Sequence, residues 1–319
     1  MYGMENINKS GEEMIKVICW GAGNQCRHAL DILLPEIYKI LFWVDTDEKR
    51  QRENVGEYEI HSPDFLEKYT DDYDILLITS GYWEEIFEQC IGLQIEPEKI
   101  KCFDIRDFKI KNINEMYVNH LYSQDGEETY LKEKFSGKTR GIYVDVGAFH
   151  PYRFSNTYWA YQLGWAGINI EPNIDKYKLF CALRPNDINI NCGVSDNTGV
   201  LNYYSFKESA LNTFIKENAD DIGDIQDVTT VRVDTLKNIL LKQKIHKIDF
   251  IDIDVEGMEM KVLASIDWEK TYIDCILVEQ RNMALADVIK SEEHNYLLQK
   301  GYKAINKYGR TVIYERIRS

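Results

Sequence analysis

The sequence lacks several features that would place it in common classes of protein. Its seven cysteines form no CxxC pair, so we expect reduced, buried thiols rather than a zinc site or a disulfide scaffold. No basic run is present, and a formal net charge of −15 disfavours contact with the phosphate backbone of nucleic acid. No apolar run is long enough to span a bilayer and no signal peptide is recognisable, which predicts a cytoplasmic protein.

The first third of the chain has the pattern of a small Rossmann-like nucleotide-binding unit, which we predict over residues 14–107. Four apolar strand segments alternate with helical segments, and Gly21–Gly23 follows the first strand. Asp45 ends the second strand, as in dinucleotide-binding units, but Cys26 stands where the third glycine of that pattern belongs. The unit could therefore bind a nucleotide sugar or a nicotinamide cofactor, or be a binding relic used for docking. Residues 105–120 show no clear hydrophobic periodicity and are interpreted as the connection to the second unit.

A second unit, predicted over residues 120–319, again alternates strands and helices. Its core strands are expected at Ile142–Val146, Gly167–Ile170, Ile188–Cys192, Ile248–Ile253 and Cys275–Val278. The last two segments read as a hairpin with Gly309 in the turn. Five strand–helix steps closed by an antiparallel pair predict an α/β fold of the class I methyltransferase type.

The strand ending in Asp145 runs into a tight turn at Gly147, and the next strand ends in the acid Glu171. Open α/β sheets bind ligands at the carboxyl ends of their strands, and glycine lets the backbone approach the ligand. An acid roughly 20 residues beyond such a turn is placed to accept hydrogen bonds from ribose hydroxyls. The alternative is an ordinary strand–turn–helix with a solvated acid.

A set of segments in the second unit resembles the FkbM family of S-adenosylmethionine-dependent methyltransferases. The segments are SQDGEE, YVDVGAFHPYRFSNT, GWAGINIEPN, NCGVSDNTG, ALNTF, RVDTL and IDFIDIDVEGME. The resemblance implies S-adenosyl-L-methionine as methyl donor and O-methylation of a saccharide or natural product. It places Asp145 and Gly147 beside the methionine moiety and Glu171 at the ribose. Ser195 and Asp196 would lie near the adenine, although SDNTG is also turn chemistry.

The N-terminal unit is similar to small nucleotide-binding domains of surface-glycan enzymes, so we expect a role in polysaccharide biosynthesis.

In the FkbM family the glycine turn most commonly reads DVGANxG, and here Phe149, His150 and Pro151 replace its tail. His150 is a candidate base for the acceptor hydroxyl, or else a histidine satisfied by local backbone groups.

Three acids, Asp252, Asp254 and Glu256, end the fourth core strand. We assign Asp252 to the donor site and Asp254 and Glu256 to catalysis. A hard-metal site on these oxygens and a capping role for Glu256 stay open, and no metal is predicted.

Two other functions remain open: a nicotinamide-dependent oxidoreductase using the N-terminal unit, and a non-catalytic scaffold of a glycan pathway. We expect a small-molecule or saccharide acceptor, free or nucleotide-linked, and leave a homo-oligomer open. A run of aromatic residues could form a wall on which a sugar stacks, although such runs more often belong to the hydrophobic core. These residues are Tyr152, Phe154, Tyr158, Trp159 and Tyr161.

Overall fold

The computed structural model describes residues 13–69, 73–117, 121–280 and 284–317. Contacts divide the chain into an N-terminal unit within residues 1–118 and a C-terminal unit within residues 119–319. Among the described residues no helix combines the length and apolarity needed to cross a membrane.

The N-terminal unit is a seven-stranded sheet in the order β3-β4-β2-β1-β5-β6-β7, in which β3 and β7 are the antiparallel edges. Its strands are β1 (Ile15–Trp20), β2 (Tyr38–Val44), β3 (Asn54–Val55), β4 (Tyr58–His61), β5 (Ile75–Ile78), β6 (Ile100–Asp104) and β7 (Lys109–Asn112). Its helices are α1 (Cys26–Ile32), α2 (Asp64–Lys68), α3 (Trp83–Gly92) and α4 (Ile113–Met116).

The sequence pattern misses the short elements of this unit. Strands β3 and β4, separated by Gly56 and Glu57, are too short for a recognisable alternation of side chains. The interpretation of residues 105–120 as a connection is wrong over β7 and α4, because β7 pairs with β6 beyond residue 107. Residues 118–120 lie outside the described part of the chain. Helix α1 ends at Ile32, so Leu34, which continues its apolar spacing in the sequence, lies beyond the helix and is exposed.

The C-terminal unit contains a second seven-stranded sheet and a separate three-stranded sheet. Its strands are β8 (Ile142–Val146), β9 (Ala166–Ile170), β10 (Ile188–Ile190), β11 (Gly193–Val194), β12 (Gly199–Ser205), β13 (Asp227–Asp234), β14 (Lys247–Ile253), β15 (Tyr272–Glu279), β16 (Tyr302–Tyr308) and β17 (Thr311–Arg316). Its helices are α5 (Glu127–Lys134), α6 (Tyr158–Gln162), α7 (Ile174–Leu183), α8 (Lys216–Ile222), α9 (Leu236–Lys242), α10 (Glu259–Ala264), α11 (Leu285–Val288) and α12 (Glu292–Gln299).

The order β10-β9-β8-β14-β15-β17-β16 confirms the predicted class I methyltransferase sheet. Strands β10, β9, β8, β14 and β15 are parallel, and β17 is antiparallel to both β15 and β16. The closing hairpin turns at Gly309 and Arg310, between Tyr308 and its partner Thr311. One strand differs: the segment predicted as Ile188–Cys192 leaves the main sheet after Ile190, and β11 joins β13 and β12 instead.

The centre of the main sheet is buried on both faces. In β8 and β14 every residue from Tyr143 to Val146 and from Ile248 to Ile253 is buried, as parallel strands covered by helices require. Each such apolar side chain contributes about 1.5–3 kcal/mol relative to leaving it exposed. Six of the seven cysteines are also buried, and Cys181 is exposed. Burial on both faces fixes the register of these strands, so the positions of their carboxyl ends are well defined.

Candidate active site

A cavity of about 250 Å³ lies at the carboxyl ends of β8, β9 and β14. The described residues that line it include nine acids and two arginines, Arg153 and Arg310. The acids are Asp125, Glu127, Asp145, Glu171, Glu208, Asp252, Asp254, Glu256 and Glu279. This excess of carboxylates makes the cavity electronegative and favours a cationic ligand group over an anionic one.

Gly147 forms the floor of the cavity where β8 ends. Its φ of +80° lies in the left-handed region, and its N–H donates to the carbonyl oxygen of Ile170, 3.0 Å away on β9. A Cβ at this position would lie 1.8 Å from the carbonyl oxygen of Asp254. Only glycine therefore allows the ends of β8, β9 and β14 to approach this closely.

Glu171, directly after β9, is buried with both carboxylate oxygens anchored. Oε2 accepts from the Phe149 N–H and Oε1 from the Asn173 N–H, each at 2.7 Å. Phe149 has a φ of +55°, which turns its N–H toward the acid. Burial raises the pKa of Glu171 to about 7, although both hydrogen bonds favour the ionised form. Each oxygen keeps a lone pair for a hydroxyl of a ligand.

Asp145 is the last residue but one of β8, and a buried chain of hydrogen bonds holds its carboxylate in place. Arg184 Nη1 donates to Thr157 Oγ1 at 2.8 Å, and that hydroxyl donates to Asp145 Oδ2 at 2.7 Å. Burial raises the pKa of Asp145 to about 6, while Thr157 and the Arg184 charge act in the opposite direction. The network orients the carboxylate beside the glycine turn.

Asp252 is the neighbour of Asp145 across the pair of strands β14 and β8. Asn156 Nδ2 donates to Asp252 Oδ2 at 2.9 Å, and both side chains line the cavity. Burial, followed by the charge of Asp145, raises the pKa of Asp252 well above its ordinary value. Sequence reasoning gave Asn156 no role, although it lies in the segment FSNT that contributes to the family resemblance.

Asp254, Glu256 and Glu279 form an acidic group on the same cavity. One carboxylate oxygen from each lies within 4.8 Å of the others. Enclosure by the protein, then Glu279 and Glu256, raises the pKa of Asp254 well above its ordinary value. The guanidinium of Arg310 lies 3.7 Å from Glu279 Oε1 and balances part of the charge. Such a group can hold a proton or a hard cation between its oxygens.

Glu256, for which a capping role was left open, does not begin a helix. Its φ of +55° places it in a tight loop, where its carbonyl oxygen accepts from Thr213 Oγ1 and Asn218 Nδ2. Helix α10 begins at Glu259, and this acid accepts from the Gly257 N–H at 3.0 Å. The loop directs Glu256 to the cavity instead of leaving it as a capping residue.

Three predicted site residues lie off the cavity. His150 is buried, and its Nδ1 accepts from the N–H groups of Tyr152 and Arg153 at 3.1 and 3.0 Å. Burial lowers the pKa of His150 well below its ordinary value, so its ring is a neutral acceptor within the loop. Ser195 is buried, with its N–H donating to Asp234 and its Oγ to Asp196 Oδ1. From this segment of the chain, Cys192, Gly193 and Val194 line the cavity instead.

The predicted aromatic wall is mostly core. Tyr152, Tyr158 and Trp159 are buried, whereas Phe154 is 39% exposed and lines the cavity. The Arg153 guanidinium lies 4.6 Å from the Phe154 ring centroid, and it also pairs with Glu208 at 3.3 Å. This stacked pair gives one wall of the cavity an apolar face with a charged rim.

A class I sheet with a ligand cavity at its glycine turn defines a methyltransferase unit, and comparison with known families gives the same result. Residues 145–303 match the family described as Methyltransferase FkbM domain, and residues 13–101 match one described as C2185-like, N-terminal. The C-terminal unit of this chain belongs to the FkbM methyltransferase family.

Curated proteins give no significant match to the chain. Among solved structures, a candidate RNA methyltransferase from Pyrococcus horikoshii is 11% identical, covering 62% of this chain and 89% of its own, with a TM-score of 0.31. Phosphoethanolamine N-methyltransferase 1 from Haemonchus contortus, in complex with phosphoethanolamine and S-adenosylhomocysteine, is 9% identical. It covers 97% of this chain and 87% of its own, with a TM-score of 0.28. Both TM-scores are low, so the assignment rests on the strand order and the family match.

Proposed function

We propose that the C-terminal unit transfers the methyl group of S-adenosyl-L-methionine to a hydroxyl of a saccharide or natural product. The acceptor is free or nucleotide-linked, and the reaction belongs to cytoplasmic steps of surface-glycan biosynthesis. The observation that carries the proposal is the convergence of Gly147, Glu171 and Asp254 on one cavity at the carboxyl ends of β8, β9 and β14. Family membership supplies the methyl-transfer chemistry.

The residues present fit this donor. Gly147 lets the end of β8 pack closely against Asp254, which brings the strand ends together around the cavity, and Glu171 offers two anchored oxygens for a pair of ribose hydroxyls. When bound, S-adenosylmethionine supplies an electrophilic methyl group on a positively charged sulfur. The acids of the cavity stabilise a positive charge, and Asp145 beside the turn is placed to accept from an ammonium group.

The acidic group formed by Asp254, Glu256 and Glu279 supports an oxygen acceptor. A hydroxyl must lose its proton as the new bond forms, so a base is needed within hydrogen-bond reach. Asp254 lines the cavity, and the raised pKa of its carboxylate makes it a stronger base than an ordinary aspartate. Of the candidate bases His150, Asp254 and Glu256, we therefore propose Asp254, with Glu256 and Glu279 as its neighbours.

Transfer of a labelled methyl group to a panel of monosaccharides, nucleotide sugars and phenolic natural products tests the proposal. We expect Asp254→Asn to lower kcat by about a hundred- to ten-thousandfold at donor saturation, with donor affinity retained. Asp220→Asn, which changes an exposed acid paired with Lys216, is the matched control and should leave kcat unchanged. Equal kcat in both variants would remove Asp254 from the reaction.

A chelator distinguishes the two chemistries open to the acidic group. We expect turnover to survive removal of divalent ions, because a carboxylate with a raised pKa can take the proton directly. Loss of turnover with chelator, restored by Mg²⁺, would instead assign a hard cation to Asp254, Glu256 and Glu279. Donor binding without transfer to any acceptor would favour the non-catalytic scaffold.

A further inference from the structure

The N-terminal unit contains a cavity of its own, about 560 Å³, at the carboxyl ends of β1, β2 and β5. From β1 the chain continues to β2 on one side of the sheet, whereas β5 lies on the other side. The cavity therefore lies at the point where the strand order reverses. Open α/β sheets bind ligands at such points, because the two connections diverge there and leave a crevice.

The floor of this cavity is the glycine turn after β1. Gly21 has a φ of +112°, and a Cβ there would lie 2.8 Å from the Cβ of Ser80. Asp45 ends β2 beside the turn: its Oδ2 accepts from the Ala22 N–H at 2.8 Å and its Oδ1 from the Asp47 N–H at 2.9 Å. The carboxylate is thus fixed in place, and each oxygen has a second lone pair with which it can accept from a ligand hydroxyl.

Arg50 brings a positive charge to the same turn. Its Nη1 donates to the Ala22 carbonyl oxygen, and its Nε lies 4.0 Å from Asp45 and 3.7 Å from Asp47. The guanidinium nitrogens lie 3.7 and 3.8 Å from the place a Cβ would take on Gly23. Within the described part of the chain, Arg50 Nη2 makes no hydrogen bond, so it can donate to an anionic ligand group.

The rest of the lining is rich in uncommitted polar groups. The side-chain amides of Asn24, Gln25 and Gln89 make no hydrogen bond among the described residues. At the mouth, the Tyr82 ring is 74% exposed and available for stacking on a flat group. A hydroxyl acceptor, a cation, free amides and an exposed ring are the groups that recognise a nucleotide.

We propose that this cavity binds a ribonucleotide, with the ribose hydroxyls on Asp45 and a phosphate on Arg50. A carboxylate that accepts from both hydroxyls disfavours a ribose with a phosphate on its 2′ oxygen, because the two negative groups repel. Asp47 and Glu85 on the lining add to that repulsion. The site therefore accepts an unmodified ribose and rejects both the 2′-phosphorylated and the 2′-deoxy forms.

Calorimetric titration of the full chain tests this site, with S-adenosylhomocysteine saturating the C-terminal unit. The probes are ADP, UDP and NAD⁺, whose relative affinities show which base and which length of ligand fit. We expect at least one to bind, and its 2′-deoxy form (or NADP⁺ in place of NAD⁺) to bind at least about tenfold more weakly. Arg50→Met should weaken binding of the same probe by about tenfold or more, and Arg27→Met, an exposed arginine on α1, should not.

Three results would overturn the inference. The first is absence of binding by all three probes at millimolar concentration. The second is equal affinity for the ribose and 2′-deoxy forms. The third is an equal effect of Arg50→Met and Arg27→Met in variants with unchanged thermal unfolding. Methyl transfer is not measured, and the effect of Arg50→Met assigns the bound probe to the N-terminal cavity whether or not S-adenosylhomocysteine occupies the C-terminal unit, so these results can fail independently of the function proposed above.

Discussion

Replacing Gly147 by alanine tests whether the close approach of β8 and β14 is what makes the donor cavity. The added Cβ would lie 1.8 Å from the Asp254 carbonyl oxygen, a backbone atom that no rotamer change can move aside. Gly164 offers a matched control in the same unit. Its φ of +77° equals that of Gly147 within a few degrees, but a Cβ there meets nothing within 4 Å.

The two variants separate backbone strain from steric contact. A left-handed conformation costs an alanine about 1–2 kcal/mol, so Gly164→Ala should lower the free energy of unfolding by that amount. In Gly147→Ala the strands must also move apart, which adds about 1–3 kcal/mol for overpacking. The N–H of Asp254 donates to the Val146 carbonyl oxygen at 3.0 Å, so the same movement displaces Asp254 from the cavity.

Thermal unfolding and donor titration of both variants provide the measurement. For a unit of this size 1 kcal/mol corresponds to roughly 2–4 °C in Tm, so Gly147→Ala should melt several degrees below Gly164→Ala. Affinity for S-adenosylmethionine should fall only in Gly147→Ala. Equal melting temperatures together with equal donor affinities would refute the argument, because the Cβ would then have found space that the structure does not show.

Three further predictions concern single side chains. Glu171→Ala should weaken S-adenosylmethionine binding by about 1.5–3 kcal/mol in calorimetry. Because the pKa of Glu171 is raised to about 7, the affinity of the unmodified protein for the donor should increase as pH rises through that value. If Glu171→Ala bound the donor as tightly as the unmodified protein at every pH, Glu171 would have no role at the ribose. His150→Ala should lower the free energy of unfolding by about 1–3 kcal/mol, since the N–H groups of Tyr152 and Arg153 lose their acceptor, yet retain kcat at donor saturation. A hundredfold loss of kcat would restore His150 as the base. The bidentate contact of Arg106 holds the pKa of Asp104 below its ordinary range, so its contribution is present above roughly pH 4 and fades as pH falls further. Asp104→Asn should therefore lower the free energy of unfolding by about 1–2 kcal/mol near pH 7, and the accompanying drop in Tm should shrink near pH 3. A drop in Tm that grows on acidification would contradict this reasoning.

The sequence by itself determined the main strands, the closing hairpin and the glycine turn with its following acid. These features depend on local rules: apolar runs mark strands buried on both faces, and a glycine between a strand and a helix marks a close backbone approach. Gly147 and Glu171 could be singled out because each stands at the end of a strand whose pattern is unambiguous. The pairing of Asp145 with Asp252 followed once the order of β8 and β14 was known.

Only the tertiary structure decided which side chains share the cavity. Glu279 joins Asp254 because β14 and β15 pair in parallel, so strand ends far apart in sequence become neighbours. Irregular backbone sets the direction of other side chains. The left-handed conformation of Phe149 turns His150 into the loop, and that of Glu256 turns its own side chain to the cavity. The departure of β11 into the second sheet keeps Ser195 off the cavity. Side-chain periodicity holds only within regular elements, so outside them the direction of a side chain depends on contacts that only the folded chain makes.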